Sequence, residues 1–197
     1  MRPIKVITPA TLRPVDLDTA KEHIHANQDS GGSYLSDEDT TATIYLDAAI
    51  RACENKLQAN IMNAELEMYV KCWPGRCLEL DKYPVSAVNS VKYYDDNGDL
   101  QTVGSSNYRL LDFMRPAVLE FDADFSEPSL DDREFPIIVN FNAGYTAASG
   151  VPTTIVHAVL LEFTDRYENR QNELAGSTVA MFSNAADNIL APERMWI

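Results

Sequence analysis

The spacing of the apolar residues changes twice along this chain, and that change constrains its fold more than any other feature. From Ser36 to about Asn60, Ala42, Leu46, Ala49, Ile50, Cys53 and Leu57 recur at three- and four-residue steps, the spacing of one helix face. At Asn63 the step drops to two. Leu66, Met68, Val70 and Cys72 alternate with Glu65, Glu67, Tyr69 and Lys71, the mark of a half-buried strand. The helical step returns over residues 151–172, VPTTIVHAVLLEFTDRYENRQN. There Ile155, Val156, Val159, Leu160, Phe163 and Tyr167 form one stripe, and Asp165, Arg166, Glu168 and Arg170 sit largely off it. Pro152 suits the first turn, where its missing N–H is not needed. Helices, then strands, then a helix predict an α+β fold. A helical frame (14–62 and 151–172) carries an inserted antiparallel β region (63–149). Residues 1–172 are expected to form a single domain, followed by an extended C-terminal tail, 173–197.

Shorter signals fill in the rest. Pro3, Pro9 and Pro14 keep residues 1–15 extended. Asp16 can cap a short helix through about His25, with Leu17, Ala20, Lys21 and Ile24 on a mostly apolar face. Gly31-Gly32 marks a connection. Ser36 can cap the next helix, whose first turn carries Asp37, Glu38 and Asp39 where the helix dipole favours negative charge. Trp73-Pro74-Gly75-Arg76 reads as a turn, with Cys77 to Leu80 as the return strand of a hairpin. Pro84 opens a long strand, Val85 to Tyr94. Asn97-Gly98 then predicts a hairpin turn, with Leu100 to Val103 pairing back. Strands are expected at 108–111, 118–121 and 136–142, the last two separated by an acidic loop, 122–134. Gly144 and the small residues 147–150 lead into the final helix.

Thirty acidic against sixteen basic residues give a net charge of −14. That sign argues against gripping nucleic acid by its phosphates, and fits solubility or a surface along which DNA slides without sticking. Three cysteines make no disulfide framework and point to a reducing compartment. No apolar run approaches the roughly 18 residues that a bilayer span needs, and the first residues, MRPIKVITPATLRPVDL, do not read as a secretory signal.

No catalytic constellation offers itself. Cys72 and Cys77 flank a four-residue turn but lack the second ligand pair of a structural zinc site; they read as small apolar residues, with a disulfide as the alternative. His23 and His25 are wrongly spaced for a metal clip on a helix, and His157 reads as a packed or rim histidine. Aligning Gly98 with the glycine of a calcium loop puts Tyr93 and Gly104 where carboxylates belong, so a hairpin turn is expected there instead. The acidic loop (Asp122, Asp124, Glu127, Asp131, Asp132, Glu134) could supply a glycosidase pair, yet such pairs are common by chance. A solvated loop or charged rim is the plainer reading. No metal and no cofactor are expected. Trp196, beside the chain end, either folds back on its own core or anchors another subunit.

Three runs, in order, resemble the head–tail connector (adaptor) proteins of long-tailed bacteriophages. The first is PVDLDTAKEHIH followed by SDEDTTATIYLDAAIRACENKLQAN, like that family's two opening helices. The second is LELDKYPVSAVNSVKYYDDNGDLQTVGSSNYRLLD, with a Leu-x-Leu strand, Tyr-Pro-Val, Val-x-x-Val-x-Tyr and Asn-Gly. The third is VNFNAGYTAASGVPTTIVHAVLLEFTDRYENR, in which Ala-Gly-Tyr leads to Val-Pro and a helix closing on Tyr-Glu-Asn-Arg. Together they cover about residues 12–172; beyond that only Leu190 to Arg194 matches. The resemblance implies a non-enzymatic virion protein without cofactors, located at the neck and assembled in the host cytoplasm. Its copies would form a ring, typically of twelve, beneath the portal protein. The ring would extend the channel for double-stranded DNA and receive the next component, a stopper or tail terminator. The resemblance further implies that the tail reaches the portal, here through Leu190, Arg194, Met195, Trp196 and Ile197. Another neck or tail-completion role, such as a stopper, is the nearest rival. A hydrolase using Asp122 or Asp124 is a distant one.

Overall fold

The computed structural model describes residues 2–25, 39–168 and 184–194. Among them the order is β1 (Ile4–Thr8), α1 (Leu17–His23), α2 (Asp39–Leu57), β2 (Ala64–Val70), β3 (Cys77–Glu79), β4 (Val85–Tyr94), β5 (Leu100–Thr102), β6 (Tyr108–Leu111), β7 (Val118–Phe121), β8 (Ile137–Ala143), α3 (Thr153–Glu168) and α4 (Asn184–Leu190). The class is α+β, as the spacing predicts. The elements gather into two compact units. Residues up to 12 join 62–146 in a β unit, and residues 13–61 join 147–194 in a helical unit.

In the β unit the strands form an antiparallel sheet ordered β1-β2-β8-β4-β5 and a smaller one ordered β3-β7-β6. The alternation read at Leu66, Met68 and Val70 is realised, with Ala64 buried on the same face, and it stops short of Cys72. Opposite them, β8 buries Ile137, Val139, Phe141 and Ala143. The register sets Leu66 against Phe141 and Met68 against Val139. Leu78 and Leu80 after the Trp73 turn, and Leu119 and Phe121 of β7, belong to the same core. Each such side chain contributes about 1.5–3 kcal/mol on burial. β4 and the hairpin to β5 stand where expected. The Asp95–Asp99 turn, however, is not a two-residue turn. Gly98 alone takes a left-handed φ of +82°, and its N–H donates to the Asp95 carbonyl at 2.9 Å. That is a three-residue loop with the glycine at its left-handed position. Asp95 Oδ1 accepts from the N–H groups of Asn97 and Asp99, both at 3.0 Å.

Two expectations for the strands need correction. Cys77–Glu79 does not return against β2 as a hairpin; it pairs with β7 in the second sheet. Cys72 lies beyond the end of β2 and is exposed, as is Cys77, and both are free thiols rather than packed apolar residues. β1 adds a strand outside β2, a partner that its prolines and alternation did not specify.

In the helical unit Asp16 caps α1, accepting the Thr19 N–H at 2.7 Å. Ala20 and Lys21 are the buried pair of that helix, and the Lys21 ammonium is satisfied by the Asp39 carboxylate at the start of α2. The expected cap at Ser36 lies outside the described residues. α2 buries Ala42, Leu46, Ala49, Cys53 and Leu57, the predicted stripe less Ile50. α3 differs more. Its buried residues are Ile155, Ala158, Val159, Glu162 and Phe163, while Val156, Leu160 and Tyr167 are half-buried. The stripe is turned toward a carboxylate, and His157 is exposed rather than packed.

Candidate assembly surfaces

The tail is not extended throughout. Residues 184–190 form α4, and Ala186 and Leu190 are buried, Leu190 at 2% exposure. α4 lies against α3 and α2. A short 3-10 turn, Ala191–Glu193, follows with Pro192 near its start, and Arg194 is exposed. Of the five residues expected at the portal, Leu190 is therefore committed to its own helical unit and Arg194 is at the surface. Met195, Trp196 and Ile197 lie outside the described residues.

What binds α4 is a cluster of charges that the helical spacing did not reveal. Glu162, 9% exposed, sits where the stripe of α3 should be apolar. Its carboxylate accepts from Lys56 of α2 and from Arg166 one turn along α3. The same Lys56 ammonium is 2.9 Å from Asp187 of α4. Burial draws the Lys56 pKa down, but the bonds from Glu162 and Asp187 outweigh it and hold it above the ordinary lysine value. A buried carboxylate is tolerated here because two cations meet it. Cys53 lies within reach of this cluster's field. Burial, reinforced by the Glu162 charge, pushes its thiol up to about 12.

The acidic loop is pinned to the β unit rather than free in solvent. Trp73 Nε1 donates to the Pro128 carbonyl at 2.9 Å, and its ring packs edge-on against Tyr93, Phe121 and Phe125. The Asp131 N–H donates to the Tyr94 carbonyl at 3.0 Å, and the Arg133 guanidinium lies 3.4 Å over the Tyr94 ring. The bond from Arg133 holds the Asp131 carboxyl below the usual range. Asp122, Asp124, Glu127, Asp132 and Glu134 ride on this fixed frame, all of them exposed. Among the described residues no group of three or more His, Cys, Asp or Glu could hold a metal ion.

One side of the large sheet is a polar ribbon. Glu65 of β2 accepts from Thr8 of β1 at 2.8 Å and from Asn140 of β8 at 2.9 Å. Asn89 of β4 donates to Asn140 at 2.7 Å. The side chains thus link strands β1, β2, β8 and β4 across that face, and the Asn140 bond leads in keeping Glu65 more acidic than an ordinary glutamate. The exposed large apolar side chains of the β unit lie elsewhere: Val6 and Ile7 on β1, Leu12 after it, Leu100 at the start of β5, and Phe113 and Met114, which stand together in the β6–β7 connection with Phe113 the most exposed of all. No stripe or motif marked Val6, Ile7, Phe113 or Met114 in the sequence.

No protein-family model matches this sequence, and no characterised protein matches it. Solved structures do. A chain from the neck of an empty gene transfer agent (GTA) particle, computed with C6 symmetry, superposes with a TM-score of 0.80 at 20% identity, covering 98% of this chain and 96% of that one. A chain from the virion of the native gene transfer agent particle gives 0.78 at 19% identity with the same coverage. A chain from the native particle's neck, computed with C12 symmetry, gives 0.71 at 19% over the same shares. Nearly the whole chain, both units included, thus has the fold of a chain found in the neck of gene transfer agent particles.

Proposed function

We propose that this chain is a structural protein of the neck of a phage-like particle, an adaptor whose copies close into a ring under the portal. The observation that carries the reading is fold similarity over nearly the full chain, 98%, to neck chains of particles treated with C6 and C12 symmetry. The adaptor-like sequence runs supply independent support. In a ring one interface repeats until it closes on itself, and twelve copies fit the symmetry of those necks. The last residues, from the 3-10 turn onward, reach the portal. Arg194, Met195, Trp196 and Ile197 make the contact, and Leu190 anchors the segment to the helical unit. Many weak tails acting together then hold the portal more tightly than one. The fixed acidic loop and net charge of −14 suit a channel that lets DNA slide. The ring's other face receives the next component, a stopper or tail terminator.

The test is to mix the protein with its portal and sediment the mixture. The expected result is a complex carrying many copies of the chain. Deleting 193–197 is expected to weaken portal attachment while the circular-dichroism spectrum stays native, because Ala186 and Leu190 are retained. A monomer that ignores the portal contradicts the reading. Capture by tail proteins in place of the portal assigns the chain to tail completion instead.

A further inference from the structure

We propose that the β6–β7 tip of one copy seats on the β1 edge of the next, making the interface that repeats around the ring. The proposal rests on the ring reading above and names the surface that the ring requires.

The tip is Asp112-Phe113-Met114-Arg115. Phe113 is 80% exposed and Met114 41%. The base of the tip is held: the Arg115 guanidinium stacks 4.2 Å over the Tyr83 ring, leaving the two apolar side chains outward. β1 is the outermost strand of the large sheet, with β2 as its one strand neighbour among the described residues. Every residue of β1 after Ile4 is exposed, including Val6 at 47% and Ile7 at 40%. The register slips between Val6 and Thr8, leaving Ile7 as an extra residue opposite β2. Val6 and Ile7 are thus adjacent exposed apolar side chains at an edge blunted for open-ended strand pairing by this bulge and by Lys5, so the edge offers side-chain packing rather than a further strand ladder.

A second copy is the occupant because the two patches differ and complement each other. They lie on different strands of different sheets, so joining one to the other is heterologous, the kind of contact that closes a ring. Charge favours the same pairing. Asp112 precedes Phe113, and Lys5 precedes Val6. In a chain of net charge −14, copies repel one another at long range, and an apolar contact flanked by an acid and a base is the junction that can form against that field.

The experiment uses the full chain and sedimentation velocity at a concentration where the wild type forms rings. Phe113→Asp destroys the tip and Val6→Asp the edge. Each variant alone is expected to associate about 30-fold more weakly or worse, the effect of removing an anchor residue. Thermal unfolding is expected to stay at the wild-type midpoint for Phe113→Asp, because that side chain is exposed. Mixed together, the two variants retain one sound tip and one sound edge, so they are expected to form one-to-one dimers and no rings. Lys5→Glu and Asp112→Lys are each expected to weaken assembly, and together in one chain to restore it. This charge pair keeps the proposal testable if Val6→Asp fails to fold. Rings of Phe113→Asp at wild-type strength overturn the proposal, as does a charge pair whose double variant is no better than the singles. Rings that survive while portal binding is lost overturn it in favour of the portal as the tip's partner. A wild-type chain that never associates, even with its portal, overturns the ring reading and this interface with it.

Discussion

The ammonium of Lys56 in α2 stands 2.9 Å from the carboxylate of Asp187 in α4 and also bonds to Glu162 of α3, so one cation ties three helices together. Removing it leaves Glu162 buried with Arg166 as its one remaining cation partner in this cluster. Lys56→Met is expected to cost about 1–2 kcal/mol in chemical denaturation, within the range for charged hydrogen bonds that are partly solvated. Asp187→Asn, at a more exposed carboxylate, is expected to cost no more than about 0.5 kcal/mol. It should nevertheless speed hydrogen exchange across residues 184–190. Unchanged exchange there would mean that Ala186 and Leu190 alone hold α4.

The three cysteines should separate cleanly in a thiol titration. Cys53 is buried with its pKa pushed up to about 12, and Cys72 and Cys77 are exposed. Because the thiolate is the reactive form, two thiols are expected to react in the native protein and the third only on unfolding. Fast labelling of all three would show that α2 opens readily.

Gly144 has φ +111°, and a Cβ added there would run into the carbonyl group of Met62. Backbone cannot move aside as a flexible side-chain end can. Gly144→Ala is expected to destabilise the β unit by more than about 2 kcal/mol, seen as a lowered denaturation midpoint. Gly75, also at positive φ but with open space around it, should tolerate alanine better.

The carboxyls of Asp16, Glu65, Asp95, Glu120 and Asp131 are all held below their usual range by hydrogen bonds, led respectively by Thr19, Asn140, Gln101, Arg109 and Arg133. Their contribution is present above the unfolded-state pKa of about 4 and is lost as pH falls through the lower folded values. Lys56 is shifted upward, so its contribution is full below about 10.4 and is lost as pH rises through its folded value. Cys53, pushed up to about 12 from an unfolded value of about 8.5, also loses stability as pH rises above about 8. The denaturation midpoint is therefore expected to be flat from about pH 5 to 8 and to fall on both sides. A steep loss between pH 5 and 7 would point to groups other than these.

The sequence revealed most of the local structure and little of the long-range pairing. Alternation at Leu66, Met68 and Val70, and the Asn97-Gly98 turn, depend on neighbours in the chain and were legible. The pairing of Cys77–Glu79 with Val118–Phe121 was not, because short apolar strands carry no mark of their partner. Glu162 was missed for a related reason: its charge is neutralised by Lys56, which only the fold brings to it. α4 is too short to show a period. Phe113 and Met114 were visible as apolar residues in a loop, but their exposure is known only once the strands beside them are placed.

The most direct measurement is an electron-microscopy reconstruction of the assembled particle's neck. The account predicts this chain as a closed ring of identical copies against the portal, joined tip to β1 edge. Density for the chain away from the portal vertex, or as a single unrepeated copy, would contradict it.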